Sequence, residues 1–366
     1  MIEGVDMKRV YILYAIVLFT LPILAKSKSD TIVAGRLFGR PLFSKVDCPM
    51  AAKMLSTPTD SGVVNFLEKY RDVQIDNKLL ENISKSYSLD VSTIFLLMRL
   101  YSQHNNHQLQ NIYMNTLKSL KLKKLTKELV SLKEFHIVFI PGFNYNNNRG
   151  NLLEQKQLLD SADISYTMIN LQPIGLIKTN AQILADELKI INQRHSNIIL
   201  ISISKGSMET ALSLTTMLNP DEVNHIKAWI NVCGTLKGSP VADYWRVPFR
   251  RFWLSLGLWF IGRKANIRGL TYDLSYLHHQ ERWPKWKIPK SIYTITLLST
   301  PLGREKKGLM KVPNDNYSPL IDEIIDGGNI VVEVGYNHTL EGMDLNPRMV
   351  ALLNHIAIHL KKIKEQ

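Results

Sequence analysis

Three side chains would do chemistry together if the fold joined them: Ser204, Asp315 and His338. A serine hydroxyl is a weak nucleophile on its own. It needs a base within hydrogen-bond reach, and that base needs a third group to fix its tautomer. An imidazole takes up a proton near neutral pH, and a buried carboxylate orients it. Ser204 lies in Ser202-Ile203-Ser204-Lys205-Gly206, after the apolar run Asn197-Ile198-Ile199-Leu200-Ile201 and before the helix-like stretch Met208 to Leu214. The pattern is strand, sharp turn, helix. Small residues two positions to either side, Ser202 and Gly206, suit a turn with no room for anything larger. That is the pattern of a nucleophile elbow, in which the helix N-terminus points at the serine oxygen. The plainer use of a serine here is as a helix N-cap.

The elements that must position these residues begin at His136. Six apolar segments read as strands: His136 to Ile140, Tyr166 to Leu171, Asn197 to Ile201, Ile226 to Val232, Ser291 to Leu298 and Ile330 to Val334. Helical spacing lies between or after them at Asn151 to Ser161, Thr179 to Arg194 and Pro347 to Lys364. Short apolar strands separated by helices imply a mostly parallel six-stranded sheet with helices on both faces. Right-handed crossovers place the loops after each strand at one edge, where ligands bind. Ser204 follows the third strand, Asp315 the fifth, and His338 comes directly after the last, so all three fall on that edge. The edge also offers two backbone donors to a developing oxyanion. One is the Lys205 N–H just after the serine. The other is the Phe143 N–H in the loop Pro141-Gly142-Phe143-Asn144.

Several residues compete for these roles. Asp322 and Asp326 are rival acids on a predicted helix or its end, and Asp315 is also suited to opening a turn. His338 has a plain alternative as a surface histidine. His278 and His279 fall in an insert, and His355 and His359 fall inside the last helix, where they read as packing or surface residues. His104 and His107 lie in an Asn-rich stretch that reads as a loop and has no neighbouring carboxylate or thiol, so no metal site is expected there.

Residues 134–364 resemble the α/β-hydrolase superfamily, from the third strand of that fold to its final helix. Besides the elbow, the resemblance rests on four segments. Ile140-Pro141-Gly142-Phe143 is similar to the family's oxyanion loop, and Asn231 to Pro240 to its post-strand loop. Pro313-Asn314-Asp315 matches the acid turn, and Gly335-Tyr336-Asn337-His338 the histidine loop. Ser202 stands where the family often has glycine, and the family's first two strands are not visible. The resemblance implies hydrolysis of an ester, thioester or lipid through an acyl-serine, with Ser204, Asp315 and His338 catalytic and with no cofactor or metal. An acyltransferase using the same residues, or a non-catalytic lipid- or partner-binding protein on this fold, are the other readings.

The rest of the chain bounds the setting. With 45% hydrophobic and 21% charged residues in 366, the composition is that of a globular protein. Met7-Lys8-Arg9, the uncharged run Val10 to Ala25 and the polar Lys26 to Asp30 have the layout of a secretory signal or membrane anchor, so an exported, periplasmic or secreted protein is expected. Residues 26–133 read as a mostly helical extension and 134–366 as the hydrolase domain. The net charge of +13 fits attraction to an anionic membrane surface better than nucleic acid, for which no basic-aromatic motif is present. Only two cysteines occur, Cys48 and Cys233, and Cys233 ends a core strand, where a buried free thiol is expected. The insert 241–290 holds Trp245, Trp253, Trp259, Trp283 and Trp286, five of the six tryptophans. Its centre, Phe252 to Gly262, is apolar, aromatic and flanked by Arg250, Arg251, Arg263 and Lys264. It is too short to span a bilayer and suits an interfacial lid or cap that forms an acyl-chain pocket.

Overall fold

A computed structural model describes residues 30–120, 125–145, 152–260, 266–283, 285–303 and 309–365. The expected export segment 1–25 and the basic flank Arg263-Lys264 of the insert lie outside the described residues. Two strands, β1 (Thr31–Leu37) and β2 (Arg40–Val46), form an antiparallel hairpin. Six more build the central sheet: β3 (His136–Ile140), β4 (Tyr166–Met168), β5 (Ile198–Ile203), β6 (Ile226–Val232), β7 (Tyr293–Thr300) and β8 (Asn329–Val334). Their spatial order is β4-β3-β5-β6-β7-β8, and every neighbouring pair is parallel.

The sheet is covered on both faces because its strands are largely apolar on both. Ile137, Phe139, Ile199, Ile201, Ile230, Ile295, Leu297 and Val331 pack on one face with Val350, Leu353 and Ile356 of the closing helix Leu345–Lys364. The alternating set Val138, Ile140, Ile198, Leu200 and Trp229 packs on the other face with Leu184, Leu188 and Ile191 of the helix Ile177–Asn192. This period of two, with both halves buried, is the signature of a parallel sheet between helical layers. No helix of the described residues is long and apolar enough to cross a membrane.

The extension holds two features that differ from the sequence reading. The hairpin turns at Phe38-Gly39, both at positive φ (54° and 73°), the geometry that suits the twist of a two-residue hairpin. It forms its own two-stranded sheet and does not lengthen the central one. The stretch around His104 and His107, read as a loop, is instead the start of the helix His104–Leu120. Its amides explain both the misreading and the structure. Gln110 Nε2 donates to Val332 O (3.0 Å) while Val332 N–H donates to Gln110 Oε1 (2.8 Å). Asn106 Oδ1 accepts from Ile330 N–H (2.9 Å). Buried amide side chains thus complete the ladder of β8, the strand at the sheet's edge, whose N–H and C=O groups would otherwise lack partners. The hairpin and the helices Ser61–Lys69, Asn77–Ser86 and Leu89–Tyr101 pack their apolar faces against Leu298, Ile330 and Val332 of β7 and β8.

Candidate active site

The turn after β5 is the strained point of the site. Ser204 has φ 54° and ψ −122°, a backbone conformation that L residues rarely adopt and that costs about 1–3 kcal/mol. Hydrogen bonds fix it: Ser204 N–H donates to Val232 O (3.0 Å), and Thr235 N–H donates to Ser204 O (3.2 Å). The helix Lys205–Leu212 starts at the next residue. Close approach explains the glycines. A Cβ at Gly206 would stand 2.5 Å from Pro141 O, and one at Gly142 would stand 3.0 Å from Ile203 O and 3.2 Å from Ser204 Cβ. The loop after β3 therefore lies directly against the serine. Ser202 is fully buried and has a use of its own. Its Oγ accepts from Trp229 Nε1 (2.7 Å) and meets Ser207 Oγ at 2.8 Å.

Three loops bring Ser204, His338 and Asp315 together at the carboxyl edge of the sheet. His338 Nε2 lies 2.7 Å from Ser204 Oγ. On its other side His338 Nδ1 is hydrogen-bonded to Asp315 Oδ2. The remaining Asp315 oxygen, Oδ1, accepts from the backbone N–H groups of Tyr317 and Ser318, both at 2.8 Å. Asp315 is fully buried and His338 nearly so. A carboxylate on Nδ1 selects the Nδ1–H tautomer, so Nε2 is left with its lone pair toward the serine hydroxyl. The two loops are also tied through their backbones, His338 N–H donating to Asp315 O (2.8 Å).

Lys205 is the first residue of its helix, so its backbone N–H has no acceptor within that helix. Its side chain turns inward and forms a buried i,i+4 ion pair with Glu209. Glu209 Oε1 also accepts from Asn180 Nδ2 (2.8 Å). Asn180 in turn brackets Gln172, accepting from its N–H (3.1 Å) and donating to its carbonyl (2.9 Å). One residue on, Pro173 O accepts from Asn144 N–H (2.8 Å), which fixes the loop that carries Phe143. Burial raises the Glu209 carboxyl, and the Lys205 ammonium opposes that rise.

The rival acids are engaged elsewhere. Asp322 accepts from Lys237 Nζ (2.9 Å), Tyr276 Oη (2.9 Å) and Asn77 Nδ2 (2.5 Å), which joins the extension, the insert and the loop after β6. Asp326 is exposed and pairs with Lys285 at 3.8 Å. His355 accepts or donates to Tyr293 Oη (2.9 Å) within the last helix's packing. Cys48 and Cys233 are both free thiols, Cys233 fully buried. Sequence reasoning missed three neighbours of the site. The Tyr317 ring stacks on His338, with centroids 4.7 Å apart. Glu209 braces the elbow helix. Glu323 is fully buried, and its ligand atom, that of Asp315 and Cys233 Sγ all lie within 4.8 Å of one another. The one available signal for Glu323 was an acid set among the apolar residues Leu320, Ile321, Ile324 and Ile325. With both Asp315 oxygens engaged and burial holding the Cys233 thiol well above its usual range, these three make a poor cation site.

The insert is rooted beside the acid turn. Ser239 Oγ donates to Tyr317 O, and Ser318 Oγ to Gly238 O (3.4 Å). Its tryptophans divide by role. Trp245 is buried, and Trp283 and Trp286 pack on Met208 and Leu212 of the elbow helix. Trp286 Nε1 donates to Leu236 O (2.8 Å). Along the helix Pro248–Phe260, Leu258 is buried with Ile174, Ile267 and Leu270, whereas Phe249, Phe252, Trp253 and Trp259 are exposed. A separate cavity of about 660 Å³ lies between the extension and the segment 321–330, and none of Ser204, His338 or Asp315 lines it.

The parallel sheet, the serine elbow after β5 and the chain order Ser, Asp, His are those of the α/β-hydrolase fold. No protein-family model and no curated protein sequence matches the chain. Among solved structures, the chain is similar to the metagenomic carboxyl esterase MGS0156, at 15% identity and a TM-score of 0.45 over 63% of this chain and 76% of that one. It is also similar to the mature form of the Bacillus licheniformis lipase BlEst2, at 18% identity and a TM-score of 0.46 over 59% and 91% of the two chains. A third likeness is to the RedJ thioesterase of the prodiginine pathway in Streptomyces coelicolor, at 14% identity and a TM-score of 0.35 over 61% and 89%.

Proposed function

We propose that the protein is a serine hydrolase that cleaves a carboxylic ester or thioester with a lipid-like acyl group. The observation that carries this reading is the continuous chain Ser204 Oγ, His338, Asp315, closed at 2.7 Å between serine and imidazole. Ser204 Oγ attacks the substrate carbonyl carbon as its proton passes to His338 Nε2. Asp315 holds the imidazole and balances its positive charge. The N–H groups of Lys205 and Phe143 are the donors for the oxyanion, each worth roughly 10²–10³ in rate. Collapse of the tetrahedral intermediate expels the alcohol or thiol, which takes the proton from His338. Water then repeats the sequence, and the carboxylic acid leaves with Ser204 restored.

The lipid-like substrate rests on the insert. Phe249, Phe252, Trp253 and Trp259 expose an aromatic face next to Arg250 and Arg251, on a chain of net charge +13. Such a face suits the boundary of an anionic lipid surface, from which an acyl chain enters. The test is labelling of the purified protein with a fluorophosphonate, which reacts only with an activated serine. Wild type is expected to label, and Ser204→Ala and His338→Ala to lose it, with ester turnover down by about 10⁴-fold or more. A folded wild type that does not label overturns the enzymatic reading in favour of a binding protein.

A further inference from the structure

Glu323 has no place in the reaction just described, yet it is an unusual carboxyl among the described residues. It follows the short helical turn Leu320–Asp322, is fully buried, and its carboxyl has no hydrogen-bond partner among the described residues apart from the Asp315 carboxyl it faces. Its carboxyl sits in the cluster with Asp315 and Cys233 described above. An unpartnered buried polar atom calls for an explanation, and an unpaired buried charge is far more costly still.

The neighbours decide which form of Glu323 is compatible with the site. Asp315 accepts three hydrogen bonds, from His338 Nδ1, Tyr317 N–H and Ser318 N–H. Asp322 accepts from Lys237, Tyr276 and Asn77. His279, near Lys237 and Asp322, is neutral, its basicity lowered chiefly by burial. Cys233 is a neutral thiol against Ser299 Oγ at 3.3 Å. The backbone carbonyl of Glu323 accepts from Asn231 Nδ2 (2.7 Å), so that amide compensates the main chain and not the carboxyl. No cation faces the Glu323 carboxyl among these groups, and two carboxylates at this distance cannot both ionise cheaply in a buried site. Burial first, then the Asp315 charge, hold the Glu323 carboxyl well above the usual range.

We propose that Glu323 is a positioning residue for the Ser204–His338–Asp315 chain: a neutral carboxylic acid, seated beneath Asp315, whose proton is offered to that carboxylate and tempers the negative charge His338 feels. The residue touches no substrate and acts only through Asp315. A neutral donor at this place keeps the imidazole from becoming too basic to release its proton to the leaving group, the Brønsted compromise that a general acid-base requires. The inference rests on the proposed serine-hydrolase chemistry for its purpose, but not for its measurement.

The experiment follows the His338 imidazole by NMR titration in the full-length protein, in wild type, Glu323→Gln and Glu323→Leu, with the rate of fluorophosphonate labelling against pH alongside. Glutamine keeps a neutral donor of the same shape, so the His338 midpoint and the acid limb of labelling are expected to stay where they are in wild type. Leucine keeps the volume but removes the donor. The His338 midpoint is then expected to rise by about one pH unit, a tenfold change in proton affinity. If Glu323 were ionised, Gln would remove a charge and the midpoint would fall instead, and that fall overturns the proposal. An unmoved midpoint in a folded Leu variant overturns it as well, because it assigns Glu323 to packing alone. Should the Leu variant not fold, the Gln result still decides between neutral acid and anion. Absence of labelling in wild type counts against the hydrolase reading, while the NMR midpoints separately report on Glu323.

Discussion

The two structures that flank the serine elbow are built on opposite principles. On the inner side lies a polar network removed from water: Lys205 with Glu209, Glu209 with Asn180, Asn180 with Gln172, and the Ser204–His338–Asp315 chain. On the outer side lies the insert. Its root is fastened by Trp283, Trp286, Tyr276 and Ser239, but its helix Pro248–Phe260 leaves Phe249 71% and Trp259 63% exposed. Buried polar networks give geometric precision at a cost in desolvation that only complete pairing offsets. Exposed aromatics bury little apolar area in the monomer and offer a contiguous apolar face to whatever lies outside it. The inner part is held by buried hydrogen bonds and an ion pair, whereas the outer helix turns an aromatic face to solvent.

The largest effect should come from breaking the inner side at its ion pair. Lys205→Met leaves the Glu209 carboxylate without its cation in the core, where removal of one partner costs about 3–5 kcal/mol. Urea unfolding measures this directly. The double variant Lys205→Met/Glu209→Leu should regain most of the loss, because an apolar pair of similar volume replaces both charges. A single variant that loses less than about 1 kcal/mol, the range of an exposed pair, would show that the two sides are not so different in kind.

Breaking the outer side should leave stability and chemistry untouched. With Phe252, Trp253 and Trp259 all changed to Ser, fluorophosphonate labelling of Ser204 and turnover of short-chain esters should match wild type. Binding to vesicles containing phosphatidylglycerol should fall by about tenfold or more, since each exposed aromatic buried at a lipid boundary is worth on the order of a kcal/mol. Loss of short-chain turnover to the same extent as vesicle binding would place the helix in the active site's own structure and remove the division between the two regions.

How much of this was legible in the sequence follows the same division. The elbow and the post-strand positions of Asp315 and His338 could be read because a parallel sheet forces its loops to one edge, and residue order along the chain then becomes position in space. The choice of Asp315 over Asp322 was only weakly marked. Asp322 is taken up by Lys237, Tyr276 and Asn77, contacts 85, 46 and 245 residues away in sequence that no local pattern reveals. The helix His104–Leu120 was read as a loop at its start for a physical reason. Asn and Gln there do not face water but close the open edge of β8, a role that reverses the usual meaning of a polar stretch. Glu323 was marked only by its apolar neighbours, since burial of an acid beside another acid runs against the rule that charges stay at the surface. The tryptophans of the insert were counted correctly as a group, but only the packing tells the anchors from the exposed ones.

The smallest expected effect sharpens the contrast between a histidine with a carboxylate partner and histidines that have none. His136, His279 and His355 are each lowered from 6.5 to about 4, in every case first by burial, with His195 adding to the effect at His136, Lys237 at His279 and His359 at His355. Each is satisfied or enclosed as a neutral ring. His136 is held between Ser165 Oγ (2.6 Å) and Thr167 Oγ1 (2.9 Å), and His355 faces Tyr293 Oη, whose own proton is held up to about 12. The unfolded chain protonates these rings as pH drops through 6.5, while the folded chain resists until about 4. Their contribution to stability is therefore complete above the unfolded value, is lost as pH falls between the two, and declines no further below the folded one. The melting temperature should fall by a few degrees between pH 7.5 and pH 5, on the order expected for rings that are only partly screened from solvent. His355→Gln, which cannot take up a proton, should flatten that slope without altering fluorophosphonate labelling. A slope that persists unchanged in this variant would assign the acid sensitivity to groups other than His355, with His136 and His279 the first to be changed in turn.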